Sequence, residues 1–335
     1  MKKHILTLLL ITSSLFSQNT KKGINSFFEN SELKEFSIKS ILVQGEVENA
    51  GFVDVSSLSI HSVPVKEVVT DVEGKKIFRG AYFYSGYSLY DILNMKAIRK
   101  THEQEFKPAV DLYVIVENDE GKKVVLSWGE IYYSKDNCKI IIAQSVRAIN
   151  PSKTKMQWPL AEKSKLICGN DLYPYRFLSN PTKITVTSAP GIYSQERMRE
   201  TFSPHMSVLM GEEGVSISDI SHTEKRSFDF IGYGHGMGYK GIQHVEGYVL
   251  RNVLSTAIKI SEFMIPSAIV VVSAKDGYRA AFSLSEIMNR NDMNDFLLIE
   301  KNGSLEDGKF NIFATPDYFV DRNVRSVEKI EIIPH

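Results

Sequence analysis

The chain has 335 residues, of which 43% are hydrophobic and 24% are charged, a composition that fits a soluble globular protein of two domains. Lysine plus arginine and aspartate plus glutamate each number 40, so no basic field indicates binding to nucleic acid or to an anionic membrane. After the N-terminal segment, no stretch is apolar over enough residues to predict a transmembrane helix.

The first residues are typical of a cleaved signal peptide. Lys2 and Lys3 form a positive region, and residues 5–11 form an apolar core that is too short to span a bilayer. We expect a signal peptide over residues 1–17, a polar leader over 18–35 and a secreted or periplasmic protein. An ordinary N-terminal strand is the alternative.

Strand signals dominate the first half of the chain. Runs of β-branched and aromatic residues bounded by turn residues predict strands at 37–47, 110–118, 122–128, 138–146 and 182–188. Leucine and isoleucine at helical spacing predict a short helix over 86–95. Ser127 followed by Glu130 is a capping-box pattern, which predicts a second helix start.

Proline and glycine cluster after residue 188 and predict a linker over 189–204. The earlier signals then return, with helical spacing over 247–256 and a capping box that begins at Ser283. Mixed strands and short helices on both sides of the linker predict an α+β fold with domains at 36–188 and 205–335.

Three sequence blocks occur twice, in the same order. Residues 78–93 recur at 239–254, residues 116–131 at 272–287, and residues 169–186 at 315–332. The offset falls from 161 to 156 to 146, which indicates shortened loops in the second copy. One half therefore serves as a control for the other, because shared residues indicate fold and unshared residues indicate function.

Several motifs together resemble the pterin-binding domain of the sulfite-oxidase class of molybdenum enzymes. They are a G-x-V-x-N-x-G start at 45–51, a G-x-x-L-x-D-I-L helix at 86–93, a D-G-Y-x-x-x-x-S-L-x-E element at 276–286 and a V-x-K-I-x-I strand at 327–332. The resemblance covers most of 38–187 and, more weakly, 205–333. It implies two tandem copies of a sulfite-oxidase-type fold, with mixed sheets and short helices, and a pocket for a polar, anionic ligand.

The chemistry of that family depends on a cysteine thiolate bound to molybdenum. The corresponding windows, 68–84 and 228–244, contain no cysteine, so no catalytic residue is carried over and molybdopterin is the less expected cofactor. Cys138 and Cys168 lie downstream, where either a local disulfide or two separate buried thiols would fit. The cofactor stays unknown, with a metal ion or haem as candidates.

The two copies differ most in the glycine-rich segment 232–244, GYGHGMGYKGIQH. Imidazole and thioether side chains in a glycine-rich segment suit copper, iron, haem or zinc. The candidate metal ligands are His235, His244, Met237, His205 and His222. The alternative is a plain glycine-rich hairpin with a surface histidine, because the His-x8-His spacing matches no strong metal pattern.

Two cationic positions recur in both copies, namely Arg79 with Lys240 and Arg176 with Arg322. One interpretation makes all four candidate anchors for a phosphate or carboxylate ligand. In the other interpretation, Arg176 pairs with Asp171 and Arg322 pairs with Asp317. Each aspartate lies five residues before its arginine, and each pair fixes a turn.

These features favour an exported, non-catalytic binding protein for a metal, a metal complex or a small anionic ligand, with its site near His235 and His244. One alternative is a molybdopterin-dependent oxidoreductase for electron or oxo transfer. Another is a structural or docking module with an exported protein partner. The missing cysteine speaks against the enzyme, and the unshared glycine-rich segment favours ligand binding.

Overall fold

The structure is a computed structural model that describes residues 31–151, 153–154, 156–191, 193, 203–301 and 308–335. The expected signal peptide, most of the leader and most of the linker lie outside these residues. Within them, no helix has the length and apolar character needed to cross a membrane.

Strands make up 48% of the structure and helices 10%. In chain order, the strands of the described residues are β1 Leu33–Glu35, β2 Ser40–Gly45, β3 Gly51–Asp54, β4 Ile60–Thr70, β5 Lys76–Ser88, β6 Leu112–Asn118, β7 Lys123–Ser127, β8 Ile140–Ala148, β9 Lys165–Cys168, β10 Leu178–Ser179, β11 Pro181–Ser188, β12 Met206–Met210, β13 Glu213–Ile217, β14 Lys225–Gly234, β15 Gly238–Val249, β16 Ala268–Ala274, β17 Arg279–Ser283, β18 Leu297–Glu300, β19 Phe310–Phe313 and β20 Val327–Pro334. The α-helices are α1 Leu89–Asn94, α2 Trp128–Tyr132, α3 Leu250–Ala257 and α4 Leu284–Met288. Single 3-10 turns occur at Ala109–Asp111 and Val320–Arg322.

These strands form four small sheets, arranged like the four blades of a β-propeller. The expected α+β fold of two sulfite-oxidase-type copies is therefore wrong. Leucine spacing and capping boxes predict where a helix begins but not how long it is. Every α-helix in the described residues has between five and eight residues, so the helices cap strand ends and form no layer of their own.

The first half contributes two sheets. Sheet one has the order β10-β9-β8-β5-β4, with β1 added on β8, and sheet two has the order β3-β2-β11-β6-β7. In sheet two, β2 and β11 run parallel, while the other neighbours are antiparallel.

The second half repeats this pattern with fewer strands. Sheet three, β13-β12-β20-β16-β17, has the order of sheet two, including one parallel pair between β12 and β20. Sheet four, β14-β15-β18-β19, corresponds to the β4-β5-β8-β9 part of sheet one. The repeated sequence blocks thus occupy corresponding strands.

Sheets two and three pack against each other and join the two halves. A buried apolar cluster combines Tyr113 and Val125 of sheet two with Ile269, Val271 and Ala281 of sheet three. The backbone N–H of Val125 also donates to the carbonyl of Pro266 at 2.8 Å. Burial of this apolar surface holds the two halves together.

The local sequence signals mostly agree with the structure. Ser127 and Ser283 each accept a hydrogen bond from the backbone of the glutamate three residues later, so both predicted capping boxes are confirmed. The predicted helix over 86–95 is only partly correct, because its first three residues complete β5 and Ser88 caps α1. The predicted helix over 247–256 likewise begins later, at Leu250.

Candidate functional site

The candidate histidine ligands do not converge. His235 lies at the exposed tip of the β14–β15 hairpin, where its backbone N–H donates to the Asp321 carboxylate at 2.8 Å. His244 pairs with Asp229 at 2.8 Å. It lies six residues along β15 from Gly238, the residue at which β15 begins beside the hairpin tip. At the rise of a strand this separation is about 20 Å, which is too far for one metal ion to bind both imidazoles.

The other three candidate ligands lie on the surface. Met237 is 81% exposed, and His205 and His222 are also exposed. In the described parts of the chain, no group of three histidine, cysteine, aspartate or glutamate side chains is arranged to hold a metal ion.

Arg176 and Arg322 are buried in paired positions at the centre of the molecule. Arg176 binds Asp171 with two hydrogen bonds, of 2.6 and 2.9 Å, and also donates to Glu130 at 2.8 Å. Arg322 binds Asp317 in the same way, at 2.6 and 2.7 Å. The sequence interpretation in which each arginine pairs with the preceding aspartate therefore describes this geometry.

This central cluster has no room for a ligand. The void beside Arg176, Asp171 and Glu286 measures about 10 Å³, which is about the smallest volume that can hold one water molecule. Burial removes water from both arginines, and the neighbouring carboxylates more than offset this loss, so the pKa of Arg322 lies well above its ordinary value.

Arg79 and Lys240 occupy matching β-bulges. In the β4–β5 hairpin, the register shifts between Glu67 and Val68, and Arg79 is the extra residue. In the β14–β15 hairpin, the register shifts after Gly232, and Lys240 is the extra residue. A bulge turns its extra side chain out of the regular alternation, which explains why an exposed cation recurs at this position.

A cavity of about 770 Å³ lies beside Lys240. It opens between β15 on one side and β18 and β19 on the other, with the turn at Val320–Arg322 nearby. Its volume is within the range of about 300–1,000 Å³ that is typical of small-molecule sites.

Aromatic and aliphatic side chains form part of the cavity wall. Phe230 of β14 packs edge to face on Phe313 of β19, with ring centroids 4.5 Å apart. Ile299 and Tyr278 also line the space. The Tyr278 hydroxyl donates to the carbonyl of Asp321, and burial raises the pKa of this phenol, so Tyr278 stays neutral at physiological pH.

Two of the four acids at the cavity have cationic partners, and the other two accept hydrogen bonds from the backbone. Glu246 pairs with Lys225 at 3.0 Å and Glu300 pairs with Lys309 at 3.2 Å. The Asp276 carboxylate accepts from the backbone N–H of Tyr278 at 3.0 Å. Asp321 accepts from the backbone of His235, as described above.

The cations at the cavity are not partnered in this way. Lys240, Lys301 and Arg325 line the space and have no carboxylate within ion-pair distance among the described residues. These three cations outnumber the two cavity carboxylates that have no ion-pair partner, those of Asp276 and Asp321. The balance of unpaired charge is therefore positive and favours a negatively charged guest.

Two asparagines offer further donors. The backbone N–H of Ser326 donates to the Asn311 carbonyl oxygen, and that of Ala314 donates to the Asn323 carbonyl oxygen, both at 2.8 Å. These contacts fix each amide with its oxygen toward the backbone. Neither amino group has a side-chain or carbonyl acceptor among the described residues, and both asparagines line the cavity.

The first half fills the corresponding space with its own side chains. Tyr82, Tyr84 and Trp158 pack there, and a Cβ placed on Gly80 would meet Trp158 at 2.7 Å. At the repeat offset of 161, the two tyrosines become Gln243 and Val245. A Cβ on Gly241, the partner of Gly80, would meet no atom within 4 Å.

A second cavity of about 460 Å³ shares the Phe230 and Phe313 wall. Its polar side holds the buried Asp295 carboxylate, which lies 2.5 Å from Arg226 and 3.3 Å from Arg251. Burial raises the pKa of Asp295, with the two arginines acting in the opposite direction. This carboxylate is neutralised by its own neighbours.

The cysteines do not fit a molybdenum-thiolate site. Both are free thiols rather than a disulfide. Cys168 is buried, and burial raises its pKa well above the ordinary value, while burial also raises the pKa of Cys138. Neither lies at the cavity, so the cavity has no thiolate that could bind molybdenum.

The sequence prediction and the cavity involve the same β14–β15 hairpin but different kinds of residue. The prediction was based on histidines. The cavity depends instead on Gln243 and Val245, which stand where the first half has tyrosines, and on two asparagines that belong to no motif. Comparison of the two copies position by position is the signal that would have found them.

Comparison of the chain with protein-family models, with curated proteins and with solved structures finds no match. The resemblance to sulfite-oxidase-type domains is therefore tested by none of them and stays a prediction.

Proposed function

We propose that this protein is a non-catalytic binding module and that the cavity beside β15 holds a small anionic ligand with an apolar or aromatic part. The observation that carries this proposal is the contrast in pairing at the cavity. Two of its four acids are held in ion pairs, while Lys240, Lys301 and Arg325 have no carboxylate partner among the described residues. Unpaired cations thus outnumber unpaired carboxylates at the cavity.

Each part of the cavity would act on a different part of such a ligand. The amino groups of Asn311 and Asn323 and the nearby cations would bind carboxylate or phosphonate oxygens. Phe230 and Phe313 would cover the apolar part. No nucleophile paired with a general base lies among these residues, so the arrangement supports binding rather than turnover.

A fluorescent anion tests this proposal directly. We would titrate the protein with 8-anilino-1-naphthalenesulfonate and, in parallel, with the uncharged analogue N-phenyl-1-naphthylamine. Lys240→Gln and Asn323→Asp should each weaken binding of the sulfonate by about tenfold, since each removes one charge-assisted contact. The uncharged analogue should change by less than about threefold, because it makes no such contact.

The first half supplies a matched control. Arg79→Gln alters the same bulge position in the other hairpin, away from the cavity, and should leave the affinity for the sulfonate unchanged. Equal effects of Lys240→Gln and Arg79→Gln would overturn the proposal, because the binding would then reflect general surface charge.

A further inference from the structure

The cavity is bordered by a strand edge that has few partners. β15 pairs with β18 only at Tyr248–Leu298 and Val249–Leu297. Among the described residues, no strand pairs with the rest of that side of β15, from Gly238 to Gly247. Backbone N–H and C=O groups on such an edge are a template for another strand.

The first half shows what an edge of this kind accepts. There, β5 pairs antiparallel with β8 through seven residue pairs, from Tyr82 to Ser88. At the offset of 161, these positions correspond to Gln243–Val249 of β15. β8 covers this whole stretch of β5, whereas its counterpart β18 pairs with only the last two residues of the matching stretch of β15. The residues of β15 that are left without a partner face the cavity.

The side chains of a strand added here would alternate between two environments. Residues on the face of Gln243 and Val245 would enter the cavity, where Tyr82, Tyr84 and Trp158 pack in the first half. Residues on the opposite face would lie near His244 and Glu246, whose side chains are exposed although both residues also border the cavity. Inward positions thus suit acidic and aromatic residues, and outward positions suit small polar ones.

We propose that the ligand of this cavity is an extended acidic peptide segment of another protein, which adds as an antiparallel strand to the free edge of β15. Its backbone pairs with Gln243–Glu246, and its inward side chains reach Lys240, Lys301 and Arg325. The proposal rests on the proposed function, because it names the ligand class of the same cavity. It describes strand addition, a known mode of peptide recognition.

A short synthetic peptide tests the backbone part of this proposal. The probe is acetyl-Thr-Glu-Thr-Phe-Thr-Glu-Thr-amide carrying a fluorophore, and its affinity is measured by fluorescence anisotropy with the full chain. One variant carries N-methyl groups on the three inward residues, which are the two glutamates and the phenylalanine. The other variant carries them on the two threonines that lie between these residues. In an antiparallel pair only one of these two sets points its N–H groups at β15.

We expect one methylated peptide to lose affinity by about tenfold or more and the other to bind within about threefold of the parent, since only one loses its hydrogen bonds to the edge. Equal affinities of all three peptides would overturn strand addition, as would equal losses in both methylated peptides. No binding of the parent peptide would also overturn it.

The two proposals fail in different ways. If the peptide does not bind while the naphthalenesulfonate still depends on Lys240, the anion site stands and the peptide inference is overturned. If Lys240→Gln changes the affinity for neither probe, both proposals are overturned. A dimer in sedimentation velocity that excludes the peptide would assign the edge to a second copy of this chain and would likewise overturn the inference.

Discussion

The guanidinium of Arg322 donates a hydrogen bond of 2.9 Å to the hydroxyl of Ser127, the residue that caps α2 in the other half of the chain. Arg176 makes the reciprocal contact with Ser283, the cap of α4, at 3.1 Å. Each half therefore completes a helix cap of the other, and the charge network at the centre belongs to both halves at once.

Loss of the central cation should strongly destabilise the protein. Arg322→Met leaves the buried carboxylates of Asp317 and Glu286 without their partner, and we expect the free energy of unfolding to fall by about 3–5 kcal/mol. Urea denaturation monitored by circular dichroism measures this loss. Lys139→Met, which removes an exposed pair with Asp136, is the control and should cost less than about 1 kcal/mol. Similar midpoints for the two variants would contradict the role of the network.

A methyl group at Gly129 should also destabilise the centre. Its Cβ would lie 2.1 Å from Nε of Arg322, so the guanidinium must move away from its carboxylates. We expect Gly129→Ala to lose about 1–3 kcal/mol, although alanine favours a helix more than glycine does. At Gly236, where a Cβ meets no atom within 4 Å, the same substitution should be close to neutral in thermal unfolding. A neutral Gly129→Ala would show that Arg322 has space to relax.

The serine caps should be worth more than ordinary caps. Ser283→Ala removes the acceptor of the Glu286 backbone N–H and also of the Arg176 guanidinium. An ordinary cap is worth about 0.5–2 kcal/mol. We expect the loss in Ser283→Ala to exceed that in Ser88→Ala, because the Ser88 hydroxyl bonds only within its own cap, accepting from the backbone of Asp91 and donating to the Asp91 carboxylate. Urea denaturation of the two variants side by side makes the comparison. Equal losses of stability would mean that the contact between Ser283 and Arg176 adds nothing to the free energy of unfolding.

Stability should decline at alkaline pH because of Tyr82. Burial, with a smaller contribution from Glu67, raises the pKa of Tyr82 from 10.0 to about 12. Below pH 10 the phenol is neutral in both states; between pH 10 and 12 it ionises in the unfolded chain but not in the folded one. The free energy of unfolding therefore falls over this window, by at most about 1.4 kcal/mol per pH unit from this residue.

The difference between the wild type and Tyr82→Phe isolates that contribution. The variant should show a shallower decline from pH 10 to 12 in urea denaturation, while the exposed Tyr239→Phe should follow the wild type. Parallel curves for the wild type and Tyr82→Phe would mean that the Tyr82 phenol ionises equally in both states.

Local features of this fold were predictable from the sequence, and the overall class was not. The capping boxes at Ser127 and Ser283 and the pairing of Arg176 with Asp171 depend on residues within five positions of each other, where residue type decides the geometry. The predominance of strands was not predictable, because it depends on where each short helix ends. Packing against the sheets decides that, and the local sequence does not.

The candidate site was hidden for a related reason. A cavity is a place where side chains are absent, and no motif marks it. Gln243 and Val245 are unremarkable residues on their own; they become informative only beside Tyr82 and Tyr84, and only after the register shows that β18 does not extend along β15.

The packing of sheet two on sheet three has a consequence for a chain cut between residues 193 and 203. Each fragment would carry an apolar sheet face, and Arg176 and Arg322 would each lack one hydroxyl acceptor until the fragments met. Separately produced fragments should therefore be poorly soluble alone and should reassociate when refolded together. The association constant of the fragments would then measure the strength of the contact between the two halves, which in the intact chain is only one part of the free energy of folding.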